Sequence, residues 1–130
     1  MPKLLLATTN VGKVREYRNL LGGLPYELVT PLEESINATI TECGASFEEN
    51  ATIKATAYAS LSRLITLADD SGLEVDALGG KPGFLSARFL GDTDEAKAEN
   101  LLVKLKNVPW EKRTAHFRCV IAIATPQGKV

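Results

Sequence analysis

An α/β fold is expected for this chain, on three observations. The apolar run Leu4-Leu5-Leu6-Ala7 passes through a short Thr/Asn/Gly turn into a segment of helical period. A second apolar run, Ile65 to Ala68, follows an Ala-rich segment that opens on a capping-box pattern. Residues 115–123 alternate between two faces in the manner of a strand. Strands and helices in alternation define that class, and 130 residues are one domain's worth of chain, enough for a real core.

Residues 3–7 are too few for a buried helix and suit a central strand covered on both faces. Val14, Tyr17 and Leu20 or Leu21 then form one apolar stripe of a helix. That helix should end near Leu21, because Gly22-Gly23 and Pro25 are stop signals. Tyr26 to Thr30 is expected as a short strand closed by Pro31. Residues 31–45 show no period, and a loop that long in a compact domain is often functional. Ser46-Phe47-Glu48-Glu49 matches a capping box, with Ser46 as N-cap and Glu49 reaching back. The following helix carries Ile53, Ala57, Leu61 and Leu64 on one side and should end near Arg63.

Ile65 to Asp69 is expected as a second buried strand, ending in the turn-like run Asp69-Asp70-Ser71-Gly72. Leu73 to Leu78 alternates apolar with acidic residues, as a half-exposed strand of a hairpin would, and Gly79-Gly80-Lys81-Pro82-Gly83 is a turn. Asp92-Thr93-Asp94-Glu95 can cap a third helix with Ala98, Leu101, Leu102 and Leu105 inside and Pro109 beyond its end. The last strand sets Ala115, Phe117, Cys119, Ile121 and Ile123 against His116, Arg118, Val120 and Ala122, and is sheltered towards its end.

Composition narrows the function classes. A formal net charge of −1 gives no whole-chain reason to expect a nucleic-acid or membrane partner. No apolar run approaches the roughly 18 residues that cross a bilayer. Nor does Met1-Pro2-Lys3 open a signal peptide. Cys43 and Cys119 lack metal-like spacing, so reduced thiols in a cytoplasmic protein are expected, and the lone His116 argues against zinc. The charges are unevenly placed. From Lys3 to Arg18 four basic residues face Glu16 alone, whereas residues 19–53 hold Glu27, Glu33, Glu34, Glu42, Glu48 and Glu49 with no Lys or Arg. Such an acidic stretch can serve a metal ion or be a solvated surface.

Two stretches carry chemistry. A strand–loop–helix turn aims free backbone N–H groups and the positive end of the helix dipole at one point. In the loop Thr8 to Lys13, Lys13 adds a full charge there, and Thr8, Thr9 and Asn10 add hydrogen-bonding side chains. This suits phosphate, although it is not a P-loop: Ala7 and Val14 stand where that pattern needs Gly and Ser or Thr. The plain alternative is an ordinary turn with Asn10 and Gly12 there for geometry and Lys13 solvated. The second stretch is Asp69-Asp70. Carboxylates at the C-terminal end of a strand lie where open α/β sheets place ligands. Successive strand residues face opposite ways, so one can face a cleft while the other fixes the loop. The alternative is a turn chosen for tight geometry. Lys54, by position alone, is a surface lysine, and Arg88 serves either a phosphate or carboxylate of the site or a structural ion pair.

Taken in order, Thr8-Thr9-Asn10-Val11-Gly12-Lys13 with Glu16, Glu42, Ser46-Phe47-Glu48-Glu49-Asn50-Ala51 with Lys54-Ala55, Ala68-Asp69-Asp70-Ser71-Gly72-Leu73, and Gly80-Lys81-Pro82-Gly83 with Ser86-Ala87-Arg88 cover nearly all of the chain. Together they resemble the non-canonical purine nucleoside triphosphate pyrophosphatase family (inosine/xanthosine triphosphate pyrophosphatases). The resemblance implies an α/β fold with a mixed elongated sheet flanked by helices, two lobes around a nucleotide cleft, and a homodimer. It implies magnesium-dependent cleavage of inosine, xanthosine and deoxyinosine triphosphates to monophosphate and pyrophosphate. By that similarity Thr8, Thr9, Asn10, Val11, Gly12 and Lys13 hold the triphosphate, with Lys54 on the phosphate side and Ser71 as a substrate contact. Glu42 and Asp70 match the positions linked to the metal, and Asp70 also matches the proton acceptor. The family's Phe-Gly-Tyr-Asp loop and late Ser-His-Arg motif do not occur in these 130 residues. A second lobe incomplete in this chain, and so a C-terminally truncated domain, is therefore expected. Two other readings stand beside this one. A Maf-type nucleotide pyrophosphatase shares the general fold but has a Ser/Arg-rich first loop unlike Thr8 to Lys13. A non-catalytic nucleotide-binding or dimerisation module would bind without turnover.

Overall fold

The computed structural model describes residues 1–85 and 91–130. It is a mixed α/β fold whose strands and helices divide between two compact units, Met1–Asp69 with Val120–Val130, and Asp70–Cys119. Ser86 and Arg88 lie outside the described residues.

The first unit is built around β1 (Lys3–Leu6). It pairs in parallel with β2 (Glu27–Val29), Leu4 opposite Leu28, and with β3 (Ile65–Val75), Leu5 opposite Thr66. Side chains of a strand alternate between faces, and β1 is apolar on both. Leu5 and Ala7 join Val29 and Ala68 in one cluster, which α2 (Phe47–Ser62) covers with Ala51, Ala55, Tyr58 and Ala59 and to which Ala122 and Ala124 add. Leu4, Leu6 and Leu67 form the other cluster, covered by Tyr17 and Leu21 of α1 (Val11–Leu21). Leu5 and Leu6 are wholly inaccessible, so each contributes about 1.5–3 kcal/mol through burial.

The apolar stripe of α1 is Val14, Tyr17 and Leu21, while Leu20 is exposed. In α2 the buried face is turned from the expected one. Ala51, Ala55 and Ala59, at i, i+4 and i+8, face the sheet and Leu61 faces solvent. Alanine at the contact lets the helix approach the strands closely. The capping box forms with a longer reach than expected: Ser46 Oγ accepts from the Glu49 N–H at 3.1 Å, and Glu49 Oε2 accepts from the Ala45 N–H at 2.6 Å. Arg63, in the left-handed conformation, closes the helix.

The strand expected to end at Asp69 runs on, and the turn weighed as the alternative for Asp69–Gly72 is not there. β3 runs unbroken from Ile65 to Val75, and Gly72 does not take a left-handed conformation. Asp69 and Asp70 are both buried. Turn chemistry favours Asp, Ser and Gly when their side chains bond the local backbone. Asp69 is instead drawn into a long-range ion pair, and the extended backbone persists.

The second unit contains the end of β3, which forms a hairpin with β4 (Lys81–Pro82), Glu74 opposite Pro82. Gly79 and Gly80 make the reversal with φ of +67° and +86°, a conformation that L side chains rarely adopt. Helix α3 (Asp94–Lys104) is capped by Thr93, whose hydroxyl accepts from the Ala96 N–H at 3.1 Å. Of its expected inner residues, Leu105, just past the helix, is buried and Leu101 half-buried, whereas Ala98 and Leu102 are exposed. The Arg113 guanidinium donates to the Leu105 and Val108 carbonyls, both at 2.9 Å, and ties down the chain after the helix. Strand β5 (Ala115–Ala124) pairs with β3. Its sheltered side is Ala122 and Ala124, and the apolar side chains of Phe117, Ile121 and Ile123 are exposed. Glu74 accepts from His116 Nε2 at 2.8 Å and lies 3.9 Å from Arg118. Cys43 and Cys119 are exposed and not joined in a disulfide. Among the described residues no helix is long and apolar enough to cross a membrane.

Candidate active site

The loop after β1 is shaped by its own side chains. The Thr8 N–H bonds back to the Leu6 carbonyl at 2.8 Å, and Thr8 Oγ1 accepts from the Asn10 N–H at 3.1 Å. Asn10 is the N-cap of α1, its Oδ1 accepting from the Lys13 N–H at 3.1 Å. Of the two readings of Asn10, a hydrogen-bonding group for a ligand or a residue there for the geometry of the turn, the use of its carbonyl oxygen within the turn fits the second. Val11 and Gly12 are then the first-turn residues whose N–H groups have no intrahelical acceptor, and no acidic side chain occupies that turn.

Lys13 projects from this turn to Asp69 of β3. Its ammonium lies 3.3 Å from Oδ1 and 3.2 Å from Oδ2. The carboxylate is 6% exposed and the lysine 31%. A buried carboxylate requires such a partner, and the lysine remains partly exposed.

The aperiodic loop before α2 is held to that helix at three points. Asn50 Oδ1 accepts from the Gly44 N–H at 2.8 Å, Lys54 pairs with Glu42 at 2.9 Å, and the Tyr58 hydroxyl donates to the Ala38 carbonyl at 3.1 Å. Asn50, Lys54 and Tyr58 recur at i, i+4 and i+8, hence on one helical face. Sequence reasoning missed Asn50 and Tyr58 as site-building residues, although this polar spacing in an Ala-rich helix was visible. Gly44 is required for the approach: a Cβ there would lie 2.7 Å from both Asn50 Oδ1 and Glu49 Cβ.

Thr8, Thr9, Thr39, Glu42, Lys54 and Tyr58 line a cavity of about 270 Å³. Thr8 and Thr9 also border a larger, mainly apolar groove of about 870 Å³. The smaller cavity is the candidate site, because it alone of the two joins the loop to the acid–lysine pair. Glu42 could offer carboxylate oxygen to a divalent ion in this cavity. One such carboxylate is compatible with magnesium, which takes one or two and completes its shell with water and phosphate oxygens. The structure thus brings Thr8, Thr9, Glu42 and Lys54 to one cavity and joins Lys13 to Asp69. Asp70, buried, and Ser71, half-buried, belong to the second unit.

Fold and site together define a mixed α/β protein with a capped strand–loop–helix turn and paired acid–lysine side chains. The Ham1 family model matches residues 4–130, and the chain belongs to that family. It is 49% identical over 131 aligned positions to the dITP/XTP pyrophosphatase of Geobacter sulfurreducens, covering 99% of this chain and 66% of that protein. It is 42% identical over 128 positions to the dITP/XTP pyrophosphatase of Bacillus subtilis, covering 97% and 65%. The structure of a HAM1 protein from Coxiella burnetii superposes with a TM-score of 0.89 at 35% identity, covering 100% of this chain and 67% of that one. The nucleoside-triphosphatase / dITP/XTP pyrophosphatase of Mycobacterium abscessus superposes with a TM-score of 0.80 at 41% identity, covering 97% and 67%. The chain spans about two thirds of the length of the curated relatives it matches.

Proposed function

We propose that this chain hydrolyses non-canonical purine nucleoside triphosphates (dITP, XTP and ITP) to the monophosphate and pyrophosphate, and so cleanses the nucleotide pool. The observation that carries the reading is the cavity that joins Thr8 and Thr9 to the Glu42–Lys54 pair. The names of relatives 42–49% identical to it agree. Residues 1–130 belong to a single α/β domain, in a cytoplasmic homodimer with magnesium as the ion and neither nucleic acid nor membrane as partner.

The reaction joins water to the α-phosphorus and breaks its bond to the bridging oxygen, so negative charge grows on the departing pyrophosphate. Donors aimed at developing charge are the main source of rate in such displacements. The Val11 and Gly12 N–H groups, Lys13 and Lys54 take that role, and Thr8, Thr9, Asn10 and Ser71 orient the substrate. Asp70 accepts the proton of the attacking water, and a carboxylate suits that task. Glu42, with Asp70, would hold magnesium, which supplies charge neutralisation on the phosphate oxygens when bound.

The test is pyrophosphate release from dITP and from dATP, with magnesium and with chelator, for the wild type and Asp70→Asn. Magnesium-dependent release that favours dITP and is lost in Asp70→Asn is expected. Nucleotide binding without turnover, unchanged in Asp70→Asn, would replace the enzyme by a binding module.

A further inference from the structure

We propose that Asp69 is a positioning residue: it acts through Lys13, holding the ammonium at the mouth of the Thr8–Lys13 loop before substrate arrives. The inference rests on the proposed phosphate role of that loop and assigns Asp69 a task separate from that of Asp70.

Four observations carry it. First, both carboxylate oxygens of Asp69 lie within 3.3 Å of Lys13 Nζ, so the ammonium is held by two acceptors. Second, the holder is fixed. Asp69 sits on β3, which pairs with β1 through Leu67 opposite Leu6, and the Ala7 N–H bonds to the Leu67 carbonyl at 2.8 Å. The strand that launches the loop and the strand that carries the carboxylate are therefore one hydrogen-bonded frame. Third, the root of the lysine is fixed too, because its N–H is bound by the Asn10 cap. A lysine anchored at backbone and tip loses the rotamer freedom that its four-carbon stem otherwise keeps. Fourth, the pair is asymmetric: the carboxylate is 6% exposed and the lysine 31%. An incoming anion reaches the ammonium and not the acid.

A neutralising carboxylate beside a phosphate-binding lysine weakens ground-state attraction for anions. Its value lies in orientation, which acts on the rate more than on affinity. Asp69→Asn keeps the shape, removes the charge and frees the ammonium. The expected signature is a kcat lowered by ten- to a hundredfold, on the order of a small misplacement of a reacting group. KM should stay unchanged or fall.

The experiment is a double-mutant cycle on Lys13→Met and Asp69→Asn, read in two ways on the full 130-residue chain and on any longer natural form. The first reading is dITP turnover. The second is calorimetric binding of inorganic tripolyphosphate without metal, which needs no catalysis. Asp69→Asn should tighten tripolyphosphate binding in the wild-type background and change it by less than about twofold in Lys13→Met, where the mediator is gone. Turnover losses should likewise fail to multiply. Multiplying losses, or an equal change of tripolyphosphate affinity in both backgrounds, would overturn the proposal, as would a wild type that binds no tripolyphosphate. Binding that follows the cycle in a chain with no turnover would leave the positioning role standing and remove the pyrophosphatase reading. Thermal melts establish that each variant folds. Should Asp69→Asn not fold, Asp69→Glu, which keeps the charge and shifts it by one methylene, takes its place in the cycle. It is expected to lower kcat less, and that loss should vanish in the Lys13→Met background; an equal loss of kcat in both backgrounds would overturn the proposal.

Discussion

Gly44→Ala is the sharpest probe of how the site is assembled. A methyl group at position 44 would lie 2.7 Å from Asn50 Oδ1, 2.7 Å from Glu49 Cβ and 3.1 Å from the Asn50 backbone nitrogen. Carbon pairs prefer about 3.5–4.0 Å, so the loop must lift off α2 by roughly an ångström. That lift breaks the 2.8 Å bond from the Gly44 N–H to Asn50 Oδ1 and leaves a wholly buried amide oxygen without this donor. Overpacking costs about 1–3 kcal/mol, and stripping a buried acceptor about 1–3 kcal/mol. Loss of glycine's freedom in the unfolded chain returns about 0.4–1 kcal/mol. The net destabilisation is about 3 kcal/mol, which for a domain of this size lowers Tm by roughly 10 °C. A urea titration with the wild-type m-value checks it. Glu42 stands two residues away on the same loop and pairs with Lys54, so metal binding should weaken in step. A Gly44→Ala protein with wild-type stability and wild-type Mn²⁺ affinity would refute the idea that close approach at Gly44 sets the loop.

Leu5→Ala empties the centre of the first unit, where the side chain is wholly buried among Ala51, Ala55 and Val29. A loss of about 2–5 kcal/mol is expected by chemical denaturation. Lys54→Met removes the positive charge 2.9 Å from Glu42. It should tighten the binding of Mn²⁺ alone on the order of tenfold while weakening nucleotide; a titration that shows no tightening would dissociate Glu42 from the metal. The Glu33 carboxyl is held below the ordinary glutamate range, chiefly by the Thr30 side chain and further by Arg18 and the Thr30 backbone N–H. A depressed acid stabilises the fold above its unfolded pKa, and that contribution is lost as pH falls through the folded value. Glu33→Gln should therefore be less stable than the wild type at neutral pH, by no more than about 1 kcal/mol for so exposed a group. The two stabilities should converge in acid.

The first strand–loop–helix was legible because local signals agree: an apolar run without polar interruption, a short Thr/Asn/Gly turn and a clear stop at Gly22-Gly23. Asp69 to Gly72 was misread because its residues are turn formers, and the lysine that draws Asp69 into a strand is 56 positions away. The inner face of α2 was misread because hydrophobicity points to Ile53 and Leu61. The sheet selects small side chains instead, and Ala51, Ala55 and Ala59 allow the closest approach. Leu102 and Phe117 were assigned by period alone. Periodicity identifies the faces of an element but not which of them a neighbour covers.

The loop from residue 36 to 45 raises the same question in its hardest form, since it has no period of its own. Irregular backbone is costly to fix, about 1–2 kcal/mol per residue, and a loop carrying a candidate metal carboxylate must nonetheless be fixed. Its order is supplied from outside. Asn50, Lys54 and Tyr58 meet Gly44, Glu42 and Ala38 in antiparallel sequence along one face of α2. Ile36 and Ile40 anchor the same stretch to the apolar cluster beneath it. The two outer contacts are neutral hydrogen bonds to backbone, with no claim on a charged ligand. The middle contact is an ion pair between the two side chains that a magnesium–phosphate complex would separate. Exchanging that pair for ligand need not unfasten the loop, because its neighbours on either side hold the backbone. The information that shapes the loop is thus written at helical spacing in the element that follows it.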